Sequence, residues 1–88
     1  MIKYKIEKAP LADHYVVVAK DRDTNEVIET FTLNESGVDM LDLYCQGKDT
    51  ATVVREMADM YEVLPEKIIK DVKTFEDRLL NLGILGSK

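Results

Sequence analysis

The chain has 88 residues, 45% hydrophobic and 33% charged, which is an ordinary composition for a folded globular protein. A chain this short buries only about 60–65% of the surface that its unfolded form exposes, so it has room for one core and none for a deep cleft between domains. Seventeen acidic residues against twelve basic ones give a net charge of −5. This charge argues against a freestanding nucleic-acid binder, because such proteins gain most of their affinity from phosphate contacts. With one Cys and one His, an internal disulfide and a metal site built from Cys or His clusters are excluded.

The sequence carries no pattern typical of export or of membrane insertion. The first eight residues lack the continuous apolar stretch of a signal peptide. The longest unbroken apolar run extends from Tyr15 to Ala19 and is far too short to span a bilayer. We therefore expect a cytoplasmic protein without a membrane partner.

The first third of the chain has the patterns of β-strands. Residues 2–7 alternate between apolar and polar side chains, as in a half-buried strand, and Pro10 is expected to interrupt this strand. His14 to Lys20 is centred on three β-branched valines, and Val27 to Leu33 forms a third strand after a polar turn, so these two predict a hairpin. The apolar residues of the third strand do not alternate cleanly. This irregularity indicates either a bulge or a strand with contacts on both faces.

The remaining two thirds predict three helices. Asn34 is a good N-cap for the first, which ends near Gly47. Asp49 or Thr50 can cap the second, and Pro65 opens the third at a position where its missing amide hydrogen costs nothing. The third helix carries the longest apolar stripe in the chain, formed by Ile68, Val72, Phe75, Leu79 and Leu82. Two or three strands and three helices with short connections predict an α+β fold of the winged helical type.

No arrangement of residues is typical of catalysis, and we expect neither enzymatic activity nor a cofactor. His14 lies in a strand and has no evident nucleophile partner. Cys45 shares a helix face with Leu41, which predicts a buried and unreactive thiol. Asp71, Glu76 and Asp77 lie on a helix that also carries lysines at ordinary ion-pair spacing, so the interpretation as a solvated face outweighs a general acid.

Beyond these patterns, the sequence resembles the PqqD-like family, the relatives of coenzyme PQQ synthesis protein D. The resemblance extends over residues 33–85 and depends on an ordered set of short motifs rather than on any single one. Those motifs are Leu33-Asn34-Glu35-Ser36-Gly37, Gln46-Gly47, Thr50, Val53, Met57, Tyr61, Val63, Asp71-Val72-Lys73-Thr74-Phe75, Leu79 and Gly83-Ile84-Leu85. The chain departs from the family pattern at Gln46, where an acidic residue is usual, and in having no Trp in the first helix.

The resemblance implies one winged helix-turn-helix-like domain over residues 1–85, with a three-stranded antiparallel sheet and three helices. We expect residues 86–88 to form a disordered tail. It also implies a role in the biosynthesis of natural products, such as PQQ, from ribosomally made peptides. In that role the domain is a peptide chaperone that holds the leader of a precursor peptide and presents it to a modifying enzyme, often a radical SAM enzyme. The family's docking site lies between the third strand and the third helix. Transferred to this chain, the expected peptide-binding residues are Ile28, Thr30, Phe31, Thr32, Lys67, Lys70, Thr74 and Arg78.

Several other functions stay open at this point. A winged helix-turn-helix can bind DNA, although the third helix carries four basic and four acidic residues rather than a basic stripe. Glu35 to Asp39 faintly resembles the phosphopantetheine site of acyl carrier proteins, with Ser36 as the attachment point. A module that binds another protein through its helices is the third alternative, and a homodimer is also left open.

Overall fold

The computed structural model describes residues 2–86 and has the predicted α+β architecture. Its elements are the strands β1 (Lys5–Leu11), β2 (His14–Lys20) and β3 (Val27–Leu33) and the helices α1 (Glu35–Cys45), α2 (Thr50–Met60) and α3 (Pro65–Asn81). The strands form one antiparallel sheet in the order β1-β2-β3, so β1 and β3 are its two edges. Residues 87 and 88 of the predicted tail lie outside the described residues.

β1 runs straight through Pro10, so the prediction that this residue interrupts the strand is wrong. Pro10 pairs with Tyr15, and the hairpin closes one pair later, where Leu11 faces His14. The connecting Ala12 adopts a left-handed backbone with φ of 57°. Proline is tolerated in β1 because an edge strand can direct a missing N–H toward solvent instead of toward a neighbouring strand.

The predicted hairpin of β2 and β3 is confirmed, and it contains a β-bulge. Lys20 pairs with Val27 while Ala19 pairs with Glu29, so Ile28 is an extra residue on β3. Past the bulge, β3 alternates regularly, with Phe31 and Leu33 buried and the residues between them exposed. The bulge therefore explains why the apolar residues of this strand do not alternate in sequence.

A single hydrophobic core lies between the helices and one face of the sheet. Its fully buried side chains come from the central strand and all three helices, and they include Val17, Leu41, Met57 and Leu79. Cys45, predicted to be buried, is exposed at the last residue of α1. The prediction failed because a helix's last turn diverges from the core as the chain leaves it, so an apolar stripe does not guarantee burial at its end.

Helix α3 ends in the hydrogen-bond pattern of a Schellman motif. Gly83 has φ of 76°, and its N–H donates to the carbonyl of Leu80 at 3.0 Å. Ile84 N–H donates to the carbonyl of Leu79 at 3.0 Å, which folds the chain back onto the core. Leu85 then forms a short bridge with Ile2, so the two ends of the described chain meet.

Candidate functional site: a groove at the open edge of the sheet

An open groove of about 560 Å³ lies between the end of β3, the start of α1 and the exposed face of α3. We call it the β3–α3 groove. Its walls combine residues from the end of β3 and the start of α1 with polar side chains of α3 spaced one turn apart. The lining residues are His14, Thr32, Leu33, Asn34, Ser36, Gly37, Met40, Lys70, Asp71, Thr74, Phe75 and Arg78.

The Leu-Asn-Glu-Ser-Gly motif builds the end of the groove where β3 turns into α1. Asn34 is the N-cap of α1, and its Oδ1 accepts hydrogen bonds from the Gly37 N–H at 2.9 Å and from the Ser36 hydroxyl at 3.2 Å. A Cβ at position 37 would lie 3.1 Å from Asn34 Oδ1 and 3.2 Å from two carbons of Leu33. A larger residue here would push Leu33 and Asn34 away by a few tenths of an ångström, so glycine favours a helix that begins this close to the strand.

One edge position of β3 is covered by a side chain from α3. Arg78 donates from Nη2 to the backbone carbonyl of Thr32 at 3.2 Å, and its guanidinium carbon lies 5.4 Å from the centre of the Phe31 ring. The Thr32 carbonyl therefore points away from β2. Because successive residues of a strand point their backbone groups in opposite directions, Thr30 also presents its N–H and C=O at the free edge.

The groove carries two positive charges that have no ion-pair partner among residues 2–86. Lys70 and Arg78 form none of the ion pairs found among residues 2–86, although Asp71 is next to Lys70 on the same wall. His14, at the opposite wall, lies 3.3 Å from an oxygen of Asp13, and this contact lowers the pKa of the Asp13 carboxyl. A chain with a net charge of −5 thus has a local site with two basic residues and one acidic residue from α3.

The structure places the eight expected peptide-binding residues in three groups. Thr32, Lys70, Thr74 and Arg78 line the groove together. Ile28, Thr30 and Lys67 are exposed beyond its ends, the first two on β3 and the third near the start of α3. Phe31 is 9% exposed and belongs to the core, with Arg78 over its ring.

Sequence reasoning missed the wall that α1 and β2 contribute. His14 and Met40 line the groove, yet neither follows from the pattern of β3 and α3. Asn34, Ser36 and Gly37 also line it, and here a signal was present, because they form the motif that identified the family. The sequence predicted a helix start at this motif and linked it to the family, and the structure shows that its residues also shape the groove.

The described part of the chain offers little for other chemistry. No three His, Cys, Asp or Glu side chains within residues 2–86 come together in a way that could hold a metal ion. None of the helices in that range is long and apolar enough to cross a membrane. Burial raises the pKa of the Cys45 thiol, so it is a poor nucleophile despite its exposure.

Comparison with known proteins gives a family and a fold. The family model of coenzyme PQQ synthesis protein D (PqqD) matches residues 11–85. The solved structure of TbiB1 in complex with the TbiA(beta) leader peptide superposes with a TM-score of 0.70 at 21% sequence identity, covering 99% of this chain and 98% of the other. At this identity the likeness establishes the fold. No curated protein matches the sequence significantly.

Proposed function

The chain belongs to the PqqD family, and on this premise we propose that it binds the leader segment of a ribosomally made precursor peptide in the β3–α3 groove. The similar fold of TbiB1, which was solved with a leader peptide, supports this function. The observation that carries the proposal is the position of the groove, which runs along a sheet edge whose backbone groups are available for pairing.

Binding would proceed by strand addition. An extended peptide can pair with the edge N–H and C=O groups of Thr30 and Thr32 once Arg78 releases the Thr32 carbonyl, and main-chain hydrogen bonds of this kind supply affinity without regard to sequence. Side chains on one face of the peptide would then point at α3, because side chains alternate along a strand. Lys70, Thr74 and Arg78 lie one turn apart on that helix and would contact them.

The domain acts as an adaptor in this proposal and performs no chemistry itself. Its role is to hold the leader while a separate enzyme modifies the rest of the peptide, and a radical SAM enzyme is the partner class that the family suggests. A cytoplasmic location is part of the proposal, because ribosomes supply the substrate there. A homodimer that leaves the β3 edge exposed is compatible with this binding mode, since one β3 edge accepts one peptide.

The two main alternatives receive less support from the site. A DNA-binding helix needs a basic face, whereas α3 places Glu66, Asp71, Glu76 and Asp77 among its four basic residues. Attachment of phosphopantetheine needs a free serine, whereas the Ser36 hydroxyl donates to Asn34 as part of the helix cap and is half-buried.

Amide chemical shifts test the proposed function directly. The ¹⁵N-labelled chain would be titrated with a synthetic peptide corresponding to the leader of the precursor encoded beside its gene. We expect saturable shifts confined to residues 30–37 and to the groove face of α3. Shifts centred on β1, or an unchanged spectrum at millimolar peptide, would contradict the proposal. A matched titration with a 20-base-pair duplex at two salt concentrations tests the DNA alternative, whose affinity would fall steeply with salt.

A further inference from the structure

Arg78 covers the edge position that a docking peptide needs. A peptide that extends the sheet must donate an N–H to the Thr32 carbonyl, and that carbonyl already accepts a hydrogen bond from Arg78 at 3.2 Å. Peptide addition is therefore an exchange in which the guanidinium leaves the strand edge. The new partner of the guanidinium therefore decides which peptides bind more tightly.

The surroundings of Arg78 leave a place for a carboxylate. Its present hydrogen-bond partner is a neutral carbonyl, and none of the ion pairs among residues 2–86 involves it. Any hydrogen bond from the guanidinium is charge-assisted, but a carboxylate adds an opposite charge and can accept two parallel bonds from the planar arginine fork, whereas one carbonyl oxygen cannot. An acidic side chain on the peptide is thus a better partner for Arg78 than the one it gives up.

We propose that Arg78 is a specificity-determining residue that selects extended peptides with an acidic residue at one defined position. This inference rests on the proposed function. On binding, a backbone N–H of the peptide donates to the Thr32 carbonyl, and the peptide carboxylate accepts hydrogen bonds from the Arg78 guanidinium. A peptide without the acidic residue displaces the same hydrogen bond, but the guanidinium then has only water as its new partner.

The sheet geometry fixes where that acidic residue lies. Side chains of paired residues point to the same face of a sheet. The Thr32 side chain is on the face opposite Phe31, whereas Arg78 approaches from the Phe31 side. The acidic residue is therefore one of the two neighbours of the peptide residue that lies opposite Thr32, in either strand direction.

A selection from random peptides tests this inference without knowledge of the natural leader. Displayed random twelve-residue peptides would be enriched on the immobilised chain, and we expect Asp or Glu to dominate at one position. A selected peptide would then be synthesised with Glu and with Gln at that position. Each peptide would be titrated against the natural chain, the Arg78→Gln variant and the Lys73→Gln variant. Lys73 is a matched control because it is an exposed cation of α3 outside the groove.

The expected results separate this inference from the proposed function. The natural chain and Lys73→Gln should bind the Glu peptide about fivefold to tenfold more tightly than the Gln peptide, as one exposed arginine–carboxylate pair allows. Arg78→Gln should bind both peptides equally, and its amide spectrum checks that it is folded. Enriched peptides without an acidic position, or a Glu preference that persists in Arg78→Gln, would overturn this inference alone. A failure to enrich any peptide would overturn the proposed function and this inference with it.

Discussion

The two edges of the sheet differ in how readily another strand can pair with them. The β3 edge opens into the groove, and among residues 2–86 a hydrogen bond from Arg78 to Thr32 covers it. The β1 edge carries a proline and two lysines, the residue types that natural proteins use to prevent edge-to-edge pairing. One sheet therefore has one edge suited to accept a strand and one edge protected against it.

The strand register explains why Pro10 is harmless to the sheet. The Thr32 carbonyl points away from β2, so Leu33, the next residue, directs its backbone groups toward β2. Leu33 pairs with Tyr15, whose backbone groups therefore point toward β3 and away from β1. Pro10 lies opposite Tyr15 on β1, so its missing N–H would have pointed outward. The proline thus removes a donor from the exposed edge without removing a hydrogen bond from the sheet.

The two strands also differ in how they are anchored to the core. Phe31 and Leu33 of β3 are buried, with 9% and 5% of their surface exposed. On β1 the corresponding face offers the half-buried Ile6 and the exposed Lys8, which reaches Asp42 of α1 at 2.8 Å. A peptide that adds to β3 therefore meets a firmly held template, since the strand does not have to be ordered at the moment of binding.

Truncating one core-facing residue on each edge strand should give the largest difference. We expect Leu33→Ala to lower the free energy of unfolding by about 3 kcal/mol, because it removes a buried side chain and leaves a cavity. Ile6→Ala should cost only about 1 kcal/mol, because this side chain is already half in contact with water. Urea unfolding followed by circular dichroism measures both values. Equal costs for the two variants would show that β1 and β3 are anchored alike.

Moving a proline to the open edge should reproduce on β3 what Pro10 does on β1. Thr32→Pro removes the N–H that faces the groove while leaving the β2–β3 ladder intact, so we expect leader binding to weaken by about tenfold, or about 1.4 kcal/mol. Thr32→Val is the matched control, because it keeps the N–H and the β-branched shape. Titration calorimetry with the same leader peptide compares the two. If both variants bind like the natural chain, the peptide does not pair with this edge.

Local signals in the sequence were sufficient for the helices and for the β2–β3 hairpin. Asp49, one of two candidate caps, is the N-cap of α2, and its Oδ1 accepts from the Thr52 N–H at 2.9 Å. The irregular spacing of apolar residues in β3 indicated either a bulge or contacts on both faces, and only the pairing with β2 identifies the bulge at Ile28. The helices and the hairpin are predictable because the deciding interactions lie within a few residues of one another.

Features that depend on tertiary position were not predictable. Whether Pro10 ends a strand depends on which neighbour the strand has, and sequence spacing does not contain that information. The contact between Arg78 and Thr32 joins residues 46 positions apart, so the sequence could indicate that both belong to a peptide site but not that one covers the other. The same holds for His14, which reaches the groove only because β2 is the central strand.

The ion pair between Lys8 of β1 and Asp42 of α1 should make the smallest contribution to the free energy of unfolding, and this contribution should depend on pH. The hydrogen bond to Asp42 raises the pKa of Lys8, so the folded state binds this proton more tightly than the unfolded state. The stabilisation is therefore fully present below the unfolded pKa of a lysine, about 10.4, and is lost as the pH rises through the raised folded value. Because Lys8 is partly exposed, we expect only about 0.5 kcal/mol from this pair.

Urea unfolding of the Cys45→Ser chain with and without Asp42→Asn, between pH 8 and pH 12, isolates this term. The Cys45→Ser background is needed because burial and the charge of Asp42 both raise the pKa of the Cys45 thiol, which would otherwise titrate differently in the two chains. Tyr61 titrates in the same range, since its hydrogen bond to Asp39 raises the pKa of Tyr61 to about 12, but that contribution is common to both chains and cancels in the difference. We expect the difference in unfolding free energy to shrink toward zero above pH 10. A difference that stays constant with pH would mean that Asp42 stabilises β1 through packing rather than through the charge of Lys8. The β3 edge, anchored by apolar side chains, should have no counterpart to this dependence.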